Sequence, residues 1–419
     1  MVAKMDVLVI GGGMSGAMAA IASAREGLSV TLVRRSAGAT ALASGAVDFR
    51  GVNAWLQRLL QRQAVDGAVQ DALSAFLQLM AQSGYAHQGG RDDQMLLVGP
   101  LGTLKHTQVA AQSMAAGDLQ KLPGASILFV GIRGYRDFDA SYVAKSVEFF
   151  AGASPVEALL TTGAVEVEFP RVRHSRNLNG FDLAQLLDDE ATASELGRRI
   201  AAQAQTGRFT CAALPAIVGR DRPEQAMSAI QRELGMHCFE TLALPPSVPG
   251  LRLQRALDRC IKSYGIQVVH AAVDGFCNQG GQLVSIRATQ KDTVYEFEPR
   301  VVVLATGKFV GGGIQCSGRL LEPVFDLPVF VSGRHDPGVT MGSLVTDSFT
   351  AEQPIFAAGV KVDERLRPVA GDGRVIYPNL MAAGTVVTGY DHTRGIGGLG
   401  LCLATGHLCG RYAADHIRQ

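Results

Sequence analysis

Asp6-Val7-Leu8-Val9-Ile10 runs directly into Gly11-Gly12-Gly13-Met14-Ser15-Gly16 and then into the alanine-rich stretch 17–25. A short β-branched run, closely spaced glycines and a helix-forming segment predict strand, tight turn, helix. Such a turn presents backbone N–H groups and the positive end of a helix to a phosphate. Alone, the spacing fits NAD, FAD or a substrate phosphate. The turn lies within the first dozen residues with no basic, apolar leader before it, so a nucleotide fold is expected to open the chain.

Working outward, Gly27 stops the first helix and Ser29–Val33 alternates as a second parallel strand. Residues 52–249 change character. Segments 53–63, 66–83 and 182–206 pattern as helices, separated by the strand-like runs Ser126–Val130, Val165–Phe169 and Thr210–Leu214. This stretch reads as an insertion in the nucleotide fold. Leu244-Pro245-Pro246-Ser247-Val248-Pro249-Gly250 reads as a stiff connector. Beyond it come a helix (251–264), a strand (267–271), a hairpin turning at Gly280-Gly281, and the buried strand Val301-Val302-Val303-Leu304. The predicted organisation is a nucleotide domain in three pieces (1–51, 250–310, 370–419), with the insertion 52–249 and a second excursion over 311–369.

The 419 residues carry a formal net charge of +1, with 47% hydrophobic and 18% charged residues. A chain of that size buries a large core. The even charge speaks against nucleic acid as a partner. Seven cysteines, none in C-x-x-C spacing, predict reduced thiols and neither a zinc ribbon nor an iron–sulfur cluster. No apolar run reaches membrane-spanning length, so membrane contact is expected only through a partner.

Two further small-residue turns accompany the first. Val301–Leu304 ends in Ala305-Thr306-Gly307. Leu380-Met381-Ala382-Ala383-Gly384-Thr385 precedes Gly395-Ile396-Gly397-Gly398-Leu399-Gly400, which opens the last helix. That helix N-terminus can face the edge of a flavin ring that gains negative charge on reduction. Three such turns in this order point to a flavin, with Gly11, Gly13, Met14, Ser15, Gly16, Ser44, Gly45, Thr306, Gly307, Gly384, Thr385, Gly397, Gly398 and Leu399 as its contacts. The fold predicted is α/β: a doubly wound, Rossmann-like flavin-binding domain with an inserted α+β cap, and its outer elements resemble those of fumarate-reductase-type flavoproteins.

A dinucleotide fingerprint places an acid at the end of the second strand for the adenosine ribose. Here Val33 is followed by Arg34 and Arg35, which cannot accept a hydrogen bond but can pair with phosphate. Either FAD binds with a changed ribose contact, or the ligand ends in one phosphate, as FMN does.

The turns just described, together with Ser44-Gly45-Ala46-Val47-Asp48, Pro100-Leu101-Gly102-Thr103-Leu104, Val130-Gly131-Ile132 with Asp137-Phe138, Leu244-Pro245-Pro246-Ser247-Val248 and Arg252-Leu253-Gln254, occur in an order that resembles the B-subunit family of the anaerobic glycerol-3-phosphate dehydrogenases. The resemblance implies oxidation of sn-glycerol 3-phosphate to dihydroxyacetone phosphate. It also implies FMN in this chain, a separate FAD-bearing catalytic subunit, an iron–sulfur subunit that docks at the membrane, and a peripheral place on the cytoplasmic side of the inner membrane. Stand-alone FAD-dependent oxidation of another small hydroxy or dicarboxylic acid, and a non-catalytic flavin-fold scaffold, are the competing readings.

Alcohol oxidation needs a base for the hydroxyl proton, and a phosphate ester needs a cation. His392 and Arg394, between the last two glycine elements, are the candidates. The basic strip Arg171, Arg173, His174 and Arg176 reads first as a solvated edge, with a phosphate clamp and a subunit interface as the alternatives, and Arg334 and His335 are weaker candidates. Lys308 is expected to snorkel, and Met14 and Met381 to pack. No hydrolase triad, H-E-x-x-H, Walker or EF-hand pattern is present.

Overall fold

The computed structural model describes residues 2–152, 160–170, 172, 177–204, 207–331, 333, 341–348, 350–391 and 398–419. The principal elements in its first half are β1 (Val2–Ile10), α1 (Met14–Arg25), β2 (Val30–Arg34), α2 (Arg62–Gln82), β3 (Ser126–Ile132), α3 (Ala140–Gly152), β4 (Thr161–Val167), α4 (Glu190–Gln203) and β5 (Cys211–Leu214). They continue with α5 (Pro223–Leu234), β6 (His237–Glu240), α6 (Val248–Ser263), β7 (Gln267–His270), β8 (Ala272–Gln279), β9 (Gln282–Gln290), β10 (Thr293–Leu304), β11 (Leu380–Ala382) and α7 (Gly398–Arg418). Two compact units result. One comprises Met1–Thr40, Asp48–Leu79 and Leu257–Gln419, the other Ala41–Val47 and Met80–Ala256.

The first unit is built on a sheet of order β7-β2-β1-β10-β9-β8, with β11 beside β10. β7, β2, β1, β10 and β11 run parallel, and the β8–β9–β10 meander is antiparallel. Val7–Ile10 lies in register with Val30–Val33 on one side and with Val301–Leu304 on the other. Those runs are buried, and all but Thr31 are apolar, as suits strands covered on both faces. Chain connections leave β1 toward β2 on one side, while β10 closes the other. The Gly11–Gly16 turn therefore sits at the switch point of a doubly wound sheet, where ligands of such sheets bind. α1 presents small residues to α7. A Cβ on Gly406 would lie 2.3 Å from Ser15 O, and one on Gly410 would lie 2.5 Å from Ala22 Cβ. The two helices pack with almost no side chain between them.

The second unit holds a parallel sheet of its own, in the order β6-β5-β3-β4. Alternate residues of β3 serve opposite faces. Leu128 and Val130 join a cluster with Leu196, Ile200 and Ile230 of α4 and α5, whereas Ile127 and Phe129 join Val143 and Val147 of α3. The strand-like runs read at 126–130 and 210–214 fall on β3 and β5 of this unit, and the one read at 165–169 overlaps β4, which starts earlier, at Thr161, whereas Asp48–Leu79 belongs to the first unit. The proline-rich connector ends sooner than its composition suggests. Val248, Pro249 and Gly250 already belong to α6, because proline tolerates the first turn of a helix, where its missing N–H goes unused.

Candidate functional site

In the first unit, three turns that are distant in sequence meet. Gly11 has φ +120°, and a Cβ there would lie 2.1 Å from Ala305 O. At Gly16 it would lie 1.9 Å from Gly11 O. Only glycine lets these strands of backbone touch. α1 begins at Gly13 with no side-chain cap. Thr40 Oγ1 accepts from the Met14 N–H at 2.8 Å, and Gly38 packs against Gly13. The loop after β2 therefore lies along the turn.

The second turn follows β10. Ala305 N–H donates to Ile10 O at 2.8 Å, and Gly307 takes φ +74°. Gly311 and Gly313 fold back onto it, since a Cβ at either would lie 2.0 Å from a carbonyl oxygen of Thr306 or Gly307. Thr306 Oγ1 is buried there without a hydrogen-bond partner among the described residues.

The third turn follows β11. Ala383 N–H donates to Leu304 O, and Gly384 N–H donates to Thr405 Oγ1 at 2.9 Å. A Cβ on Gly384, at φ +80°, would lie 2.4 Å from Ser15 Oγ and 3.3 Å from Cys402 Sγ. Thr385 reaches both neighbours. Its Oγ1 is 3.7 Å from the Cβ position of Gly307, and its Cγ2 is 3.8 Å from that of Gly398 at the start of α7. Gly11, Ser15, Thr306, Gly307, Gly384, Thr385 and Gly398 thus line one small-residue cradle. Leu399 follows in the first turn of α7. Burial raises the Cys402 thiol to about 11, against hydrogen bonds from Thr385 and Ser15, and raises the Tyr390 phenol as well.

A glycine-lined cradle with an unpartnered buried hydroxyl and a helix opening onto it suits a flat, phosphate-bearing flavin. The family model for the FAD binding domain matches residues 6–401. The chain belongs to the FAD-binding domain family. It is an oxidoreductase-type flavoprotein, and its α/β fold is the doubly wound flavin-binding one. Across its full length it is 29% identical to the probable anaerobic glycerol-3-phosphate dehydrogenase B-subunit of Halobacterium salinarum, with all of both chains covered. It is 27% identical to the anaerobic glycerol-3-phosphate dehydrogenase B-subunit of Vibrio cholerae, covering 96% of this chain and 94% of that one. It is also similar in structure to a variant of the E. coli quinol fumarate reductase chain FrdA, at 10% identity and TM-score 0.42 over all of this chain and 71% of that one.

The other residues that the sequence singles out have surroundings of their own. Arg34 lies across Gly12, whose Cβ would meet its Cδ at 2.2 Å, and its guanidinium pairs with Asp258 at 2.6 Å. Arg35 reaches Gly312, with Nη2 3.2 Å from that residue's Cβ position. Ser44 and Gly45 belong to the second unit, where Ser44 O accepts from Ala243 N–H and Gly45 packs on Met114. Met14 and Met381 are buried. Lys308 does not snorkel. It is 5% exposed and donates from Nζ to Phe356 O and, at 3.2 Å, to Tyr390 O. Burial brings it down to about 8, opposed by Asp391. His392, Arg394 and Gly397 lie outside the described residues, as do Arg171, Arg173, His174, Arg176, Arg334 and His335. Thr40, Cys402 and Thr405 carry no signal in the sequence. Each acts through a partner far along the chain and sits in no motif.

Proposed function

We propose that this chain is a flavoprotein subunit of an anaerobic sn-glycerol-3-phosphate dehydrogenase complex. The complex would oxidise glycerol 3-phosphate to dihydroxyacetone phosphate and pass electrons through a partner iron–sulfur subunit to membrane quinone. The carrying observation is the meeting of the three turns at Gly11, Thr306 and Gly384, beside relatives of that name along the whole chain. A bound flavin supplies a hydride acceptor. Gly11, Gly13, Ser15 and Gly16 would hold its phosphate, Thr306, Gly307, Gly384 and Thr385 its ring system, and Gly398 with Leu399 would face the edge that gains charge. His392 takes the substrate hydroxyl proton and Arg394 clamps the phosphate.

FMN is the cofactor favoured by the β2 end, because Arg34 covers the Gly12 backbone where a dinucleotide site would place its ribose-binding acid. FAD is the competitor, favoured by the family model. Among the described residues no group of His, Cys, Asp and Glu could hold a metal ion, and no helix is long and apolar enough to cross a membrane. An iron–sulfur partner that docks at the membrane takes those roles, and a second partner carries FAD.

Acid release of the cofactor from the purified chain, followed by chromatography, tests the assignment. FMN supports it. FAD overturns the mononucleotide reading, and a colourless chain that takes up neither flavin overturns the flavin reading. His392→Ala and Arg394→Ala in the assembled complex should each abolish most glycerol 3-phosphate turnover. Full activity in both moves the chemistry to another chain of the complex.

A further inference from the structure

The second unit has a switch point of its own. β3 and β5 are parallel neighbours, but the chain leaves β3 through α3 on one face and β5 through α5 on the other. In open parallel sheets the crevice outside the carboxyl ends of two such strands is where ligands bind. At that place lies a cavity of about 150 Å³. Tyr135, Asp137 and Phe138 wall it just after β3, Pro215 just after β5, and Thr241 just after β6. Pro100 and the Pro245-Pro246 segment close the remaining sides. Three sequence segments that the flavin turns leave unused, around positions 100, 137 and 245, therefore converge on one space.

The wall states what would fit. Among the described residues it holds no Lys, Arg or His to neutralise an anion. Ten of its thirteen lining residues have apolar side chains. Thr241 is 1% exposed and its Oγ1 has no hydrogen-bond partner among the described residues, a cost a ligand would relieve. Burial, and Asp137 beside it, raise the Tyr135 phenol to about 12, so it stays a donor. The Asp137 carboxylate only accepts. A wall that offers donor and acceptor beside apolar carbon matches hydroxyl groups on a short carbon chain. A cavity of this size takes about six heavy atoms.

We propose that the second unit binds a small uncharged polyol, glycerol-sized, at the carboxyl ends of β3 and β5, independently of any flavin. The test uses the full chain with labelled methyl groups, glycerol as probe and inorganic phosphate as control, read by NMR. Glycerol should move the methyls of Ala216, Leu242, Ala243 and Val248 saturably, while phosphate leaves them in place. Thr241→Val keeps the shape and removes the hydroxyl, and should weaken binding about tenfold. Asp137→Asn, on an exposed loop that tolerates change, should weaken it several-fold. Shifts that grow without saturation across the whole protein, a stronger response to phosphate, or undiminished binding by Thr241→Val would each overturn the proposal.

Discussion

Arg34 and Asp258 are joined across 2.6 Å, and the aliphatic part of Arg34 lies over the bare backbone of Gly12. The side chain is only 12% exposed. An acid at this strand end would accept from a ribose, whereas this arginine is held down over the glycine by its ion pair. Arg34→Glu removes the cover and restores the acceptor. It is expected to raise affinity for FAD relative to FMN by about tenfold, the scale of one charge-assisted hydrogen bond. Titrating the apoprotein with each flavin and following flavin fluorescence gives the ratio. An unchanged ratio would detach Arg34 from cofactor choice.

The contact between α1 and α7 sets Ser15 against Gly384. Gly406 lies 2.3 Å, measured from a would-be Cβ, from Ser15 O and 2.9 Å from Ser15 Cα. Both are backbone atoms that cannot swing aside. Gly406→Val should therefore cost about 1–3 kcal/mol by overpacking, seen as a lower urea midpoint for the apoprotein. It should also weaken flavin binding, because Ser15 must shift. Unaltered stability would mean that the helices separate without cost.

What was legible in the sequence is what depends on neighbours in the chain. Glycines at positive φ such as Gly11, Gly307 and Gly384 announce their turns, and the uniformly apolar Val301–Leu304 announces a strand buried on both faces. The meeting of those turns followed from their order. The partners of lone polar residues did not. Lys308 has the long stem of a snorkelling lysine, but its carbonyl acceptors stand 48 and 82 residues further on. Arg34 read equally well as a phosphate ligand because Asp258 lies 224 residues away. Thr40, between alanines, carries no sign that it faces the Met14 N–H.

The second unit contains a fully buried ion pair. Arg252 Nη1 and Nη2 meet the two Glu240 oxygens at 2.8 and 3.0 Å, with side chains 1% and 0% exposed. Ser113 Oγ and Val218 N–H also donate to Glu240, and Arg252 Nε donates to Gly219 O. The network ties α6 to the end of β6. Burial opposes the Arg252 charge, but Glu240 opposite keeps it firmly protonated. Glu240→Gln should cost about 3–5 kcal/mol by stranding that charge, whereas Glu240→Leu combined with Arg252→Met should cost less than either single change. Chemical denaturation of the four proteins supplies the cycle. Additive losses would show that the two charges do not depend on each other.

His87 and His407 are both buried, and both rings are held at about 4, by burial in each case and for His407 next by Arg411. The unfolded chain takes up these protons near 6.5 and the folded chain only near 4, so the unfolded state binds more protons between those values. Stability contributed by the neutral rings is complete above about pH 6.5 and is lost as pH falls toward about 4, by up to about 3 kcal/mol per ring. His407→Gln cannot take up the proton, so its urea midpoint should fall less than that of the parent chain between about pH 7 and about pH 4.5. Parallel curves for parent and variant would show that His407 enters the unfolding equilibrium with the same proton affinity in both states.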